Sequence, residues 1–264
     1  KVFSAGFIEI PNPYNPDQPS RFVDWKPHGL VDVRSAIARS SNIFFYAAGG
    51  GWQDVKGLGV EKLKEYWKIF GFGEKTGIDT EGESIGFLPD PEEKEIRTKD
   101  IWRIGDTYNV SIGQGDLQVT PIQILAQISA IANGGDWYRP YLVSAAGDET
   151  ATTTINEPEI TRNFSDFYPY IDEVREGMKD TVQMPYGTAH MLSDLPFESA
   201  GKTGSSQVAN NARTNAFFVA YAPAEDPQIA ILVLVENARE GSLNAVPIGK
   251  DVLNWYYENR LVRD

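Results

Sequence analysis

Apolar and polar positions along this chain fall into two rhythms, helical in the first two thirds and strand-like in the last third. From Asp32 onward Val33, Ile37, Ile43 and Phe44 recur at helical spacing, and the Asp32 side chain is placed to cap free N–H groups at the start. Ser40-Ser41-Asn42 interrupts that run. A second helix is predicted near 60–70, with Leu63, Tyr66, Trp67 and Phe70 on one face and Gly71 as its stop. Thr120-Pro121-Ile122-Gln123 is a strong helix start, combining a capping Thr, Pro at the first helical position and a Gln that reaches back. That helix should run to Ala132 and end at Asn133-Gly134-Gly135, and another should span Ile171 to Val182.

The strand rhythm appears over 199–207, 215–222 and 228–236, the last two separated by Pro223-Ala224-Glu225-Asp226-Pro227, which predicts an antiparallel hairpin. A final helix is expected from about Val246 to Asn259. Between these elements, 71–116 reads as glycine-rich loop and 144–165 as an exposed hairpin or mobile loop. The proline-rich opening, through Pro19, reads as a loop after one short extended segment. No internal repeat or low-complexity tract is evident.

At 264 residues and 41% hydrophobic, the chain can bury a substantial core. Its formal charge of −13, from 37 acidic and 24 basic residues, disfavours nucleic acid and anionic membrane surfaces as partners. Zero cysteines exclude disulfides and thiolate metal sites, and two histidines, His28 and His190, leave few imidazole ligands. Both histidines are expected to be structural, because no Asp or Ser pattern places either in a triad. The apolar run Ile229–Val235 is far below the roughly 18 residues of a membrane span. Residue 1 is Lys, and no signal-peptide pattern follows it, as expected of a mature, processed or truncated chain.

Candidate chemistry centres on Lys202-Thr203-Gly204, where a charged side chain enters a strand-like region. Upstream lie Ser40-Ser41-Asn42, Ser111-Ile112-Gly113-Gln114-Gly115 and Pro185-x-Gly187-Thr188-Ala189. Taken singly these are weak signals: Lys202 also fits a solvated edge-strand lysine, Ser40 and Asn42 fit helix-break and capping residues, and Gly113 and Gly115 fit turn formers. Their order and flanks carry more. So read, the chain resembles the transpeptidase domain of class B penicillin-binding proteins, the penicillin-binding protein 2 group in particular. The likeness spans nearly all of it, including Phe7-Ile8-Glu9-Ile10-Pro11 and Gly29-Leu30-Val31-Asp32-Val33.

That resemblance implies an α/β fold of α+β type, with an antiparallel sheet flanked by helices, a helical subdomain and a cleft between them. Residues 1–264 would be the C-terminal portion of one transpeptidase domain, about 30–198 mainly helical and about 199–264 carrying strands and the last helix. Three of the family's strands are visible, so an edge or face is expected to be bare. The implied activity is serine acyl transfer on D-Ala-D-Ala stem peptides. Ser40 would shuttle a proton to the leaving amine, Asn42 would bind the substrate amide and Lys202 would anchor charge. Thr203 and Ser205 hydroxyls would hold the terminal carboxylate, Gly204 would admit substrate backbone along the strand, and the Ser205 N–H would supply half of an oxyanion hole.

The family's Ser-x-x-Lys nucleophile motif has no usable counterpart. Ser199-Ala200-Gly201-Lys202 spells it but reuses the same lysine on a strand, where residues three apart face opposite sides. The isolated chain is therefore expected to be inactive in acylation. Glu240-Gly241-Ser242-Leu243-Asn244 matches a β-lactamase motif in the wrong order, and Glu81 and Glu83 are the nearest acidic candidates for a water-activating role. Partners implied by resemblance are stem peptides, β-lactams and a membrane glycan polymerase, with no cofactor and no metal, on the extracytoplasmic face of the bacterial membrane. The alternative reading is a non-catalytic D-Ala-D-Ala or β-lactam sensor module.

Overall fold

A computed structural model describes residues 1–147, 152–208 and 212–262. The chain opens with four short strands, β1 (Val2–Ser4), β2 (Phe7–Ile10), β3 (Ser20–Val23) and β4 (Gly29–Val31), paired as antiparallel ladders β1–β4 and β2–β3. The expectation of one extended segment is thus corrected: the prolines of 11–19 occupy the connection, and alternating residues such as buried Ile8 hold the strands on either side. Helix α1 (Val33–Arg39) starts at Asp32, whose carboxylate accepts from the Ser35 N–H and hydroxyl. It ends at Ser40 in left-handed conformation (φ 53°), and α2 (Asn42–Gly50) begins at once with Ser41 as its N-cap.

Helix α3 (Val60–Ile69) follows, then two helices in the region read as loop: α4 (Pro91–Thr98) and α5 (Ile104–Ser111). Their cause is local. Asp90 caps the Glu92 and Glu93 N–H groups with Pro91 at the first helical position, and Asp106 accepts from the Arg103 N–H. Helix α6 (Pro121–Ala132) carries the expected reciprocal cap, Thr120 N–H to Gln123 Oε1 and Gln123 N–H to Thr120 Oγ1. Then come β5 (Asp136–Tyr138), β6 (Ala145–Gly147), β7 (Thr152–Ile155) and β8 (Ile160–Asn163), with β6 paired to β7 and β5 to β8. Part of the 144–165 expectation, residues 148–151, lies outside the described residues.

Helix α7 (Tyr168–Gln183) leads to a 3₁₀ turn at His190–Asp194 and then to the main sheet, β9 (Ala200–Val208), β10 (Arg213–Ala222) and β11 (Ile229–Ala238). The sheet order is β11-β10-β9, antiparallel throughout, with Lys202 opposite Val219 and Ser205 opposite Ala216. A short α8 (Gly241–Asn244) and α9 (Val246–Tyr256) close the chain. One sheet face packs on α6 and α7 through Ala200, Val219, Tyr221, Ile128 and Met178, while the other buries Phe218 and Ile231 against Val246 and Leu253. A third core joins the strands of the N-terminal ladders to α2 and α5 around Ile8, Ile43 and Tyr108. Among the described residues no helix is long and apolar enough to cross a membrane.

Candidate active site

The break between α1 and α2 and the free edge of β9 meet in a cleft of about 560 Å³. Ser40, Asn42, Lys202, Thr203, Gly204 and Ser205, the six residues singled out in the sequence, all line it. A smaller recess of about 180 Å³ adjoining it is bounded by Ser40, Asn42, Phe45, Ser111, Ile112 and Lys202. Lys202 Nζ donates to Ser40 Oγ at 2.7 Å and to the Thr203 carbonyl at 2.7 Å. Both partners are neutral, so nothing offsets the loss of water around the ammonium, and burial pulls its pKa from 10.5 down to about 8.

Ser40 owes its position to its backbone. The left-handed turn ends α1 with the Ser40 N–H donating to the Ile37 carbonyl and the Ser41 N–H to the Ala36 carbonyl. A non-glycine residue there carries local strain, which the surrounding contacts must sustain. Below it Asp24 ties the start of α2: its Oδ2 accepts from Ser41 Oγ at 3.0 Å, the Ile43 N–H at 3.2 Å and Ser4 Oγ at 3.4 Å. Asn42 Nδ2 donates to the Val23 carbonyl at 3.3 Å. The opposite side of the break is held by Thr188, whose N–H donates to the Ala38 carbonyl and whose Oγ1 accepts from Thr203 Oγ1 at 2.7 Å.

Helix α5 reaches this corner because α2 presents Gly49 and Gly50 to it. A Cβ on Gly49 would lie 1.8 Å from Ser111 Oγ, and one on Gly50 would lie 2.4 Å from the Tyr108 ring. The close contact sets Ile112 and the following loop over the cleft. There Gly113 and Gly115 are turn formers with φ of 75° and 72°, and the residue between them makes the contact to β9. Gln114 Nε2 donates to the Ser205 carbonyl at 3.0 Å, and the Gln207 N–H donates to Gln114 Oε1 at 3.2 Å. Sequence reading missed Gln114 and Asp24; the flanking glycines marked the first, while the second lacks a local signal.

Ser205 is exposed, and its hydroxyl accepts from the Gly241 N–H at 3.2 Å, which leaves its own proton to donate. Ser199 Oγ is fully buried without a hydrogen-bond partner among the described residues, and Lys202 Nζ donates to Ser40 Oγ. Glu83 accepts from the Thr76 N–H, Thr76 Oγ1 and Gly77 N–H; burial pushes its carboxyl up, but these bonds hold it below its usual value. It is a loop staple, and neither it nor Glu81 lines the cleft. Asn244 Oδ1 accepts from the Arg239 and Glu240 N–H groups, so the Asn there ties down the chain entering α8.

His28 is a structural residue with a buried side chain, as expected of it from the sequence. Its Nε2 lies 3.6 Å from Asp24 Oδ2, both side chains being fully buried, and burial lowers its pKa despite that carboxylate. It is a neutral packing group beneath Trp25 at ordinary pH. His190 accepts no special role either, its Nδ1 lying 3.0 Å from the Val182 carbonyl. Among the described residues no cluster of His, Cys, Asp and Glu is disposed to hold a metal ion.

The family model for the penicillin binding protein transpeptidase domain matches residues 7–254. The chain belongs to that family. Peptidoglycan D,D-transpeptidase MrdA of Haemophilus influenzae is 32% identical over 285 residues, and that of Acinetobacter baumannii 33% over 275. These matches cover 98% of this chain but 41% and 39% of those proteins, so the transpeptidase sequence described here spans about two fifths of its curated relatives. Among solved structures, Pseudomonas aeruginosa PBP2 in complex with WCK 5153 superposes with a TM-score of 0.81 at 32% identity, covering 98% of this chain and 56% of that one. The complex between PBP2 and MreC from Helicobacter pylori gives 0.79 at 31% identity, covering 99% and 45%. The α/β fold read from the resemblance is the fold of this family.

Proposed function

We propose that this chain supplies the substrate cleft of a peptidoglycan D,D-transpeptidase, working on the extracytoplasmic face of the cytoplasmic membrane in serine acyl transfer to and from D-Ala-D-Ala stem peptides. One observation carries the reading. The ammonium of Lys202 and the hydroxyl of Ser40, separated by 162 positions in sequence, meet at 2.7 Å in a cleft bounded by the open edge of β9. A lysine whose pKa has fallen to about 8 stands near neutrality, so it both donates to Ser40 and, after losing its proton, accepts one from it. In this role Ser40 passes a proton to the leaving amine. Asn42 orients the substrate amide, and the Thr203 and Ser205 hydroxyls receive the terminal carboxylate, with the Ser205 N–H facing the oxyanion.

The nucleophilic serine and its lysine are assigned to sequence that the relatives possess outside the matched two fifths. Stem peptides and β-lactams are the small partners of this reading. An MreC-like scaffold and a membrane glycan polymerase are its protein partners, in line with the complexes recorded for related proteins. Incubation with a fluorescent penicillin tests it. The full-length protein should be labelled covalently and lose labelling about a hundredfold on Lys202→Ala, while the 264-residue chain alone should not be labelled. Labelling of the chain alone would reject the assignment of the nucleophile. A full-length protein that binds the drug only reversibly would establish the sensor reading in its place.

A further inference from the structure

Among the described residues strand β9 is paired on one side only, by β10, and Lys202 to Ser205 and Gln207 line the cleft. In an antiparallel ladder each residue gives both main-chain groups to its neighbour or turns both away. The Ser205 carbonyl and the Gln207 N–H are turned away from β10, because both are taken by the side-chain amide of Gln114, at 3.0 and 3.2 Å. Thr203, two residues earlier, shares this outward orientation. One amide that gives an N–H to residue 205 and receives one from residue 207 does what a single residue of a parallel neighbouring strand would do. The side chain of Gln114 therefore stands in for a peptide unit on an edge open to strand addition.

The loop is fixed so as to keep it there. The Gln114 N–H donates to the Asn109 carbonyl at 2.9 Å and the Gly113 N–H to the Val110 carbonyl at 3.1 Å, with both flanking glycines at positive φ. A peptide backbone adding antiparallel to β9 at Ser205 would use both its N–H and its carbonyl. The N–H lies on the open edge, but the carbonyl is occupied.

We propose that Gln114 is a specificity-determining stop: it closes the β9 edge from the Ser205 carbonyl onward, and a ligand whose amide N–H needs that carbonyl must first displace it. The proposal rests on the cleft being a site for a peptide's carboxyl end. A ligand that reaches only the hydroxyls of Thr203 and Ser205 leaves Gln114 in place. The same contact shields an edge strand from pairing with another chain.

Hydrogen exchange and ligand titration on Gln114→Ala and Gln114→Glu test this. Glutamate still accepts from the Gln207 N–H but has no proton for the Ser205 carbonyl. Exchange at Gln207 should quicken about tenfold in Q114A and stay slow in Q114E; equal protection in Q114A and the parent would overturn the contact itself. N-acetyl-D-Ala-D-Ala, followed by chemical-shift titration, should bind about fivefold tighter to Q114A than to the parent, the factor one freed carbonyl is worth. Acetate, which lacks an amide, should bind Q114A and the parent alike, and its loss on Q114E measures the repulsion by the added carboxylate, which is then subtracted from the peptide's. Equal peptide affinity in Q114A and the parent would overturn the stop while leaving the cleft reading intact, whereas no binding of the peptide by any of the three proteins would overturn both.

Discussion

Replacing Lys202 by Met removes a cation whose hydrogen-bond partners among the described residues are a hydroxyl and a carbonyl. Its pKa stands at about 8 in the folded protein against 10.5 when solvated, a gap of 2.5 pH units. At about 1.4 kcal/mol per unit, the buried charge costs the folded state roughly 3 kcal/mol. The sign follows from proton counting. Below about pH 8 both states hold the proton and the cost is fully present; between about 8 and 10.5 the unfolded chain holds more protons, so stability rises with pH; above that nothing more is gained. Urea denaturation of the parent and of K202M across pH 6.5 to 10.5 reads the effect as a difference, in which shared titrations cancel. The parent should gain on the variant by about 3 kcal/mol, with half the rise near pH 9 and a flat difference below pH 7.5. Tyr46, pushed up to about 12 by burial, titrates outside this window. A difference flat across the range, or a Lys202 side-chain resonance titrating near 10.5, would refute the desolvated lysine and remove the physical basis for its proton exchange with Ser40.

Two further outcomes follow from the geometry. Asp24→Ala takes acceptors from the Ser41 hydroxyl and the Ile43 N–H at the start of α2, so it should cost about 2 kcal/mol in urea denaturation; an unchanged midpoint would show that water replaces the carboxylate. Gly49→Ala forces a methyl onto Ser111 and should destabilise by about 1–3 kcal/mol, partly restored in the double variant with Ser111→Gly, and additivity of the two changes would contradict the contact.

What was legible in the sequence was local chemistry with a strong stereochemical reason. Asp32, Thr120-Pro121-Ile122-Gln123 and the Pro223–Pro227 turn each fix an element boundary within a few residues, and the structure places helices and strands there. Helices α4 and α5 were lost in a glycine-rich stretch because Pro91 reads as a breaker unless Asp90 is seen as its cap. The meeting of Ser40 with Lys202 has no periodic signature; it was reachable only through likeness to a family. Gln114 shows the limit most plainly. Its bonds to Ser205 and Gln207 span more than ninety positions, and only the folded loop reveals that the glycines serve the residue between them.

Thr188 touches both walls of the cleft, one through its main chain at Ala38 and the other through its hydroxyl at Thr203. Together with the Lys202–Ser40 bond, this one residue ties the two walls, and widening the gap between them parts these bonds. A bulkier residue at position 188 would retune tolerance for every ligand at once, even though it bears no reacting atom.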